Sequence, residues 1–201
     1  MGVPRALYTD FPLGLSLGKP GDEEFQTQVI LAAFELLKES KGSVIGDFPI
    51  SISATDSEPL HCALPARLNP DLHPAVDEAQ ALRAAYERAV EKTKKTSVGM
   101  RIGAVDIPDA LAKFAQIAEG EHWETLGFSA ESIYGTVHDI RSYYEELACE
   151  LAEAPITPWA TEQWFYEQTE AGDVVLRARR AMRDKQVAQE VWFGLAPAGR
   201  E

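Results

Sequence analysis

Four side chains that could bind a metal ion or act in nucleophilic catalysis fall within one polar stretch of the sequence. They are His61, Cys62, Asp71 and His73. Imidazole, thiolate and carboxylate groups all coordinate zinc, and a thiol beside an imidazole can act as a nucleophile paired with its base. Their spacing matches no known metal-binding motif, and the alternative is a loop with ordinary polar residues. We expect no bound metal and no cofactor, and we keep these four residues as secondary candidates.

A second group lies on a predicted helix, where His138, Arg141 and Glu145 follow one another at spacings of three and four residues. This spacing places them beside one apolar stripe of the helix. A histidine there can take up and release a proton near neutral pH, while an arginine can hold an anionic substrate or a partner's carboxylate. The three residues form a candidate polar pocket, and the alternative is a solvent-exposed face with salt bridges along the helix.

The stretch 14–20 reads Gly-Leu-Ser-Leu-Gly-Lys-Pro and partly matches a phosphate-binding loop. Such a loop has four residues between its glycines and a Ser or Thr after the lysine, and this stretch has neither. Ser51, Ser53 and Ser57 lie outside any Gly-x-Ser-x-Gly motif, so a hydrolase of that class is not predicted. We expect the glycine-rich stretch to form a structural turn or a loop that binds a partner.

Two further clusters differ in chemistry from the rest of this acidic chain. A basic patch could bind an anion or an acidic partner, although basic residues also accumulate at helix C-termini, where they offset the helix dipole. An aromatic cluster is typical of a protein core and also of subunit interfaces. The basic patch comprises Arg177, Arg179, Arg180, Arg183 and Lys185, and the aromatic cluster comprises Trp159, Trp164, Phe165 and Tyr166.

The elements that must position these side chains are mainly helices, because apolar residues recur at helical spacing through much of the chain. The strongest pattern follows Ser129, where Ile133, Val137 and Ile140 begin a narrow apolar stripe that packs on another helix. Capping residues and glycines bound the other helices. The predicted helical ranges are 22–42, 74–95, 106–120, 129–151 and 157–185, the last divided at Gly172.

Short strands and loops fill the remainder of the predicted fold. Residues 6–8 form a strand before the glycine- and proline-rich loop 10–21, and residues 43–53 form an edge or irregular strand. Residues 54–74 form a long loop, and residues 191–195 form a terminal strand or an apolar clasp. No internal repeat or low-complexity linker divides the chain. We therefore expect one compact, mainly α domain over 1–201 with a few short strands.

Composition limits the partners and the compartment. The net charge of -13 disfavours nucleic acid and anionic lipid as partners, since both require an excess of Lys and Arg. The two cysteines, Cys62 and Cys149, are far apart in sequence and predict neither a disulfide framework nor a cysteine-based zinc site. The sequence contains no recognisable secretory signal and no apolar run long enough to span a bilayer. We expect a cytoplasmic protein with reduced thiols and no membrane partner.

The N-terminal fifth of the chain, residues 6–40, resembles a known family. The segments that carry the resemblance are Asp10-Phe11-Pro12-Leu13-Gly14, Gly18-Lys19-Pro20, Gln26 and an apolar helix ending at Leu36-Leu37. Together they resemble the C-terminal part of the substrate-specific protein B of the glycine, sarcosine, betaine and D-proline reductases. In that family a Pro-Leu-Gly turn precedes a last amphipathic helix.

The resemblance implies a role in the reductive cleavage of a small amine-like substrate by a thiol or selenol group. That family pairs a selenocysteine or cysteine with a nearby cysteine, and no such pair occurs in this sequence. We therefore expect the reactive residue on a partner subunit, and this chain to be a non-catalytic or pocket-completing subunit of an oxidoreductase complex. The substrate or interface loop that the resemblance implies comprises Phe11, Pro12, Leu13, Gly14, Gly18 and Lys19.

Two other functions stay open on the sequence alone. One is a helical interaction or scaffold protein, whose exposed aromatic residues and arginine patch bind a partner. The other is a standalone metal- or thiol-dependent enzyme built on the loop that contains His61 and His73.

Overall fold

The computed structural model describes residues 5–11, 15–18, 21–40, 42–52, 60–152, 156, 160–197 and 200. The chain folds into two compact units, Met1–Glu58 and Pro59–Glu201. We name these the N-terminal unit and the helical unit. The expected single domain over 1–201 stays a prediction.

The N-terminal unit contains a strand–helix–strand motif. Strand β1 (Arg5–Tyr8) is followed by helix α1 (Glu23–Glu35) and then by strand β2 (Val44–Asp47). The two strands pair in parallel, with Tyr8 opposite Asp47. A parallel pair requires a crossover connection, which α1 supplies. The strand predicted at residues 6–8 is confirmed.

Helix α1 begins where the sequence predicts and ends earlier. The Asp22 carboxylate accepts a hydrogen bond from the backbone N–H of Phe25 at 3.0 Å and thereby caps the helix. The helix ends at Glu35 and continues as a 3₁₀ turn over Leu36–Lys38, so the predicted end at Gly42 is wrong. Strand β2 is likewise shorter than the predicted range 43–53. It ends before Pro49, because proline has no N–H to donate to a strand ladder.

The helical unit contains the other seven helices found among the described residues. They are α2 Pro74–Ala81, α3 Arg83–Thr93, α4 Ile107–Glu119, α5 Ala130–Leu151, α6 Ala160–Gln168, α7 Glu170–Asp184 and α8 Gln189–Trp192. Short 3₁₀ turns precede α4 and α5 and follow α8. The chain is therefore mainly α with short strands, as predicted.

An apolar core holds these helices together. Helix α4 packs against α7 and α2, while α5 packs against α3 and α6. The largest side chains in the core are fully buried, namely Phe114, Tyr143, Tyr144, Trp164 and Phe165. Tyr166 is also buried, so the described members of the aromatic cluster are core residues, which is the first of the two settings predicted for them. They are not exposed for docking, as the scaffold alternative requires. Trp159 lies outside the described residues.

Several helix ends follow the predicted signals. Ser129 caps α5 by accepting a hydrogen bond from the N–H of Ser132 at 3.1 Å. Gly120 ends α4 in the left-handed conformation, with φ at 111°, which glycine adopts without strain. The predicted start of a helix at Thr157 and Pro158 lies outside the described residues.

Two predicted boundaries in the helical unit are wrong, and one of the two alternatives for residues 191–195 is excluded. The range 74–95 is interrupted at Leu82, which separates α2 from α3. Gly172 lies inside the first turn of α7, and the division falls at Thr169, whose hydroxyl accepts a hydrogen bond from the Gly172 N–H at 3.0 Å. Residues 191–195 form the end of α8 and a 3₁₀ turn rather than a strand. Among the residues that the structure describes, no helix combines the length and apolarity needed to cross a membrane.

Candidate functional site

The loop implied by the resemblance follows the carboxyl end of β1. The structure describes Phe11 and Gly18, whereas Pro12, Leu13, Gly14 and Lys19 lie outside the described residues. Gly18 has a φ of 93°, and a Cβ atom at this position would lie 2.4 Å from the ring of Phe25. Glycine is therefore required here by the backbone conformation and by the close approach of that ring.

Three phenylalanine rings pack around this loop. The ring centroids of Phe11, Phe25 and Phe48 are 5.7 to 5.8 Å apart in all three pairs. Aromatic pairs at such separations contribute about 1 kcal/mol each beyond their buried area. Of the three, only Phe11 was predicted as a site residue. Phe48 directly follows β2 and lies near the loop only in the folded chain, so the sequence did not identify it.

Hydrogen bonds also fix the start of the loop to the segment that follows β2. The backbone N–H of Phe48 donates to the Tyr8 carbonyl at 2.9 Å, and that of Ile52 donates to the Asp10 carbonyl at 3.1 Å. The Ser51 hydroxyl donates to the Asp10 carboxylate at 3.0 Å. In parallel α/β arrangements, ligands bind beyond the carboxyl ends of the strands. Phe11 and Gly18, the described residues of the implied loop, lie at that position in the N-terminal unit.

Helix α1 and the turn after it expose a row of apolar side chains, which we name the apolar stripe: Ile30, Leu31, Phe34 and Leu37. Spacings of three and four residues place them on one side of the helical turn. The most exposed of them, Leu37, is 66% accessible, and Ile45 of β2 is 65% accessible. Contiguous exposed apolar surface is typical of a protein–protein interaction site.

The candidate polar pocket is built around Arg141 in the helical unit. Its guanidinium lies 3.2 Å from the Glu145 carboxylate, as the sequence spacing predicts, and 3.3 Å from the Glu162 carboxylate of α6. The guanidinium also lies over the Tyr166 ring at 5.7 Å. Burial disfavours its charge, but Tyr166 and the two carboxylates outweigh burial and raise the pKa of Arg141 above its usual value.

His138, one helical turn before Arg141, makes different contacts. Its Nδ1 atom lies 3.7 Å from the Asp139 carboxylate and has no hydrogen-bond partner among the described residues. A cleft with a volume of about 250 Å³ is lined by Tyr134, Val137, His138, Arg141, Phe193, Gly194, Ala196 and Pro197. The structure therefore brings His138 and Arg141 to one cleft, whereas Glu145 belongs to the ion pairs of Arg141.

Three residues of this cluster were not predicted from the sequence: Glu162, Glu167 and Arg200. Glu162 lies between two arginines, since Arg200 also approaches its carboxylate at 3.5 Å. Arg200 pairs with Glu167 at 2.9 Å and lies over the Tyr166 ring at 5.3 Å. The charges of both arginines are thus balanced by carboxylates, and only the fold brings the end of the chain to α6.

The four secondary candidates are not assembled into one site. His61 and Asp71 are exposed, and Cys62 is buried. The Nδ1 atom of His73 accepts a hydrogen bond from the Ala75 N–H at 3.2 Å and caps α2. Within the described ranges, no three His, Cys, Asp or Glu side chains are grouped as metal ligands.

Asp139, a buried carboxylate that no sequence motif singled out, binds backbone N–H groups. It is fully buried and accepts hydrogen bonds from the four consecutive N–H groups of residues 99–102 at 2.7 to 2.9 Å. Burial alone would raise the pKa of Asp139, but these four hydrogen bonds hold it below its usual value. Its role is to fix the loop before α4.

Glu78 fixes the start of α7 by accepting hydrogen bonds from its backbone. Its carboxylate accepts hydrogen bonds from the Tyr144 hydroxyl at 2.9 Å and from the N–H groups of Glu170 and Ala171 at 3.1 and 3.3 Å. Burial raises the pKa of Glu78 despite these hydrogen bonds. The neighbouring Asp77 accepts hydrogen bonds from two backbone N–H groups of residues 68–69 at 2.8 and 3.0 Å. These carboxylates support the fold rather than line a cleft.

The predicted basic patch on α7 is largely engaged in contacts within the unit. Arg177 pairs with Asp173 at 3.4 Å, and Lys185 donates to the Gly120 carbonyl. Arg179 donates to the Arg200 carbonyl. The patch therefore ties α7 to neighbouring segments.

The fold and the site together define a mainly α protein that carries an N-terminal parallel strand–helix–strand unit with an exposed apolar stripe. Comparisons with protein-family models, curated proteins and solved structures find no match for this chain.

Proposed function

We propose that this chain is a non-catalytic or pocket-completing subunit of a heteromeric reductase related to the glycine, sarcosine, betaine and D-proline reductases. Its substrate is a small amine-like molecule, and the reactive cysteine or selenocysteine belongs to a partner subunit. The proposal includes a cytoplasmic location and excludes nucleic acid and membrane as partners. The observation that carries it is the position of Phe11 and Gly18, the described residues of the resembling loop, at the carboxyl end of a parallel strand pair in a unit with exposed apolar surface.

The small size of the parallel sheet favours a partner. Parallel sheets are normally covered on both faces, and two strands with one helix bury too little apolar area to be stable alone. In this unit Ile45 of β2 and the apolar stripe are exposed. A partner subunit that covers this surface would also lie close to the loop that contains Phe11 and Gly18.

The raised pKa values of the two thiols support the proposal that the reactive group belongs to another chain. Burial raises the pKa of Cys62, and the neighbouring Cys149 raises it further. Burial and the carboxylates of Glu145 and Glu146 raise the pKa of Cys149. The thiolate is the nucleophilic form, and neither thiol is activated by a lowered pKa as the reactive cysteine of an enzyme would be.

The test is purification of the tagged full chain from its native cell, followed by identification of the proteins that remain bound. We expect a partner with a reactive cysteine or selenocysteine. The double variant Leu31→Glu/Phe34→Glu should recover at least about tenfold less partner, because each carboxylate must be desolvated in the interface. Gln28→Glu adds a charge at an exposed position of α1 off the stripe, and it should bind like the wild type. Circular dichroism checks that all three chains fold.

Reconstituted turnover distinguishes the alternatives. Pro12→Ala and Leu13→Ala should reduce the turnover of the complex, and unchanged turnover would favour a scaffold protein instead. An isolated chain that turns over substrate and loses this activity in Cys62→Ser, or on removal of a bound metal, would overturn the proposal in favour of a standalone enzyme.

A further inference from the structure

Cys62 and Cys149 are remote in sequence but lie close to each other at the C-terminal end of α5. The Cys62 thiol donates to the Ala148 carbonyl oxygen at 3.7 Å, and Ala148 directly precedes Cys149. In a trans peptide the carbonyl oxygen lies about 2.8 Å from the next Cα atom, so Cys62 Sγ lies within about 6.5 Å of Cys149 Cα. The two cysteines, which are far apart in sequence, are therefore close together in the fold.

We propose that Cys62 and Cys149 form a dithiol pair, which is converted into an intramolecular disulfide by a low-molecular-weight disulfide such as glutathione disulfide. This inference concerns the thiols of the helical unit and does not depend on the proposed reductase function. It assigns a redox modification site to the contact between the loop 60–73 and helix α5.

The local structure allows the bond to form. Cys149 lies in the last turn of α5, is exposed, and its thiol donates only to the Glu145 carbonyl at 3.3 Å among the described residues. Cys62 lies in a segment without helix or strand, so its backbone can adjust. A disulfide needs Cα atoms about 4.4 to 6.8 Å apart. A small shift of the loop can bring the two backbones into this range, and rotation of the Cys149 side chain then aligns the two sulfur atoms.

The order of reaction follows from accessibility. The exposed Cys149 loses its proton, attacks one sulfur of glutathione disulfide and forms a mixed disulfide, and the first glutathione leaves as a thiolate that takes up that proton. The buried Cys62 then loses its proton and attacks the Cys149 sulfur, and the second glutathione leaves in the same way. The two cysteines are oxidised by two electrons, and glutathione disulfide is reduced to two glutathione molecules.

The resulting bond would join the loop before α2 covalently to α5. Closing a long loop restricts the unfolded chain, so the oxidised protein should be the more stable form.

The test is incubation of the reduced full-length protein with excess glutathione disulfide, followed by intact-mass analysis and non-reducing peptide mapping. We expect a product lighter than the reduced chain by two hydrogen atoms, with the Cys62 and Cys149 peptides linked and no glutathione retained. Its midpoint of thermal unfolding should be several degrees higher than that of the reduced protein, and dithiothreitol should reverse the shift.

Cys62→Ser is the matched control, because it retains the exposed thiol and removes the resolving one. It should stop at a stable glutathione adduct on Cys149. A wild-type chain that also stops at this adduct, or that forms Cys149-linked dimers, would overturn the proposal. Failure of both chains to react would overturn it equally, since an accessible Cys149 must undergo the first exchange. Circular dichroism of the reduced chains checks that the variant folds.

Discussion

The Asp139 carboxylate receives four backbone hydrogen bonds although it is fully buried in α5. Four N–H groups need an acceptor with two charged oxygens, and an amide supplies only one oxygen and adds two donors. Asp139→Asn should therefore lower the free energy of unfolding by about 3 kcal/mol, because buried donors are left unpaired. Urea denaturation at neutral pH measures the change.

The loss of stability caused by Asp139→Asn should become smaller as the pH falls. The pKa of Asp139 is lowered by folding, so its contribution is present above the unfolded pKa of about 3.9 and is lost as the pH falls through the folded-state pKa. The stabilities of wild type and variant should converge on acidification. Asp71→Asn, at an exposed carboxylate, is the control and should leave stability unchanged. An Asp139→Asn chain as stable as the wild type at neutral pH would contradict this account.

At the scale of elements, Gly172 sets how closely α6 and α7 approach. A Cβ atom at this position would lie 2.0 Å from the carbonyl oxygen of Phe165 in α6, and backbone atoms cannot give way as a flexible side chain can. Gly172→Ala should lower the free energy of unfolding by about 2 kcal/mol or more. Gly42→Ala is the matched control, since a Cβ there meets no atom within 4 Å and its φ is not positive. Equal midpoints of urea denaturation for the two variants would show that the helices can separate without cost.

Local signals made much of the helical framework predictable. The cap at Ser129, the terminating Gly120 and the apolar periodicity of α5 act within a few residues, and all three are present in the structure. Gly172 was misinterpreted because a glycine can mark either a break or a close helix contact, and the sequence does not distinguish the two. The break between α2 and α3 at Leu82 carries no glycine or proline, so no local signal identified it.

The candidate sites were less predictable because they depend on contacts between remote segments. Arg141 and Glu145 share a helix, and their ion pair follows from spacing alone. Glu162 and Arg200 reach the same cluster only through the packing of α6 and the end of the chain. The contact of Cys62 with α5 has the same origin. Sequence spacing therefore identified members of each group without identifying the partners.

At the scale of the whole molecule, apolar burial is distributed unequally. The core cluster formed by the described residues begins at Cys62 and draws on α2 to α8. The N-terminal unit has a cluster of three phenylalanine rings and leaves its apolar stripe exposed. Stability of the helical unit should therefore be largely independent of residues 1–58.

A fragment of residues 60–201 tests this directly. It retains the whole core cluster and all four tryptophans, so we expect cooperative urea unfolding and a near-ultraviolet circular dichroism spectrum close to that of the full chain. The fragment 1–58 should not unfold cooperatively alone, because two strands and one helix bury too little apolar area. A 60–201 fragment that unfolds without cooperativity would show that the two units stabilise each other and would favour the single domain expected from the sequence. A cooperative 60–201 fragment together with a non-cooperative 1–58 fragment would show that only the helical unit is stable by itself.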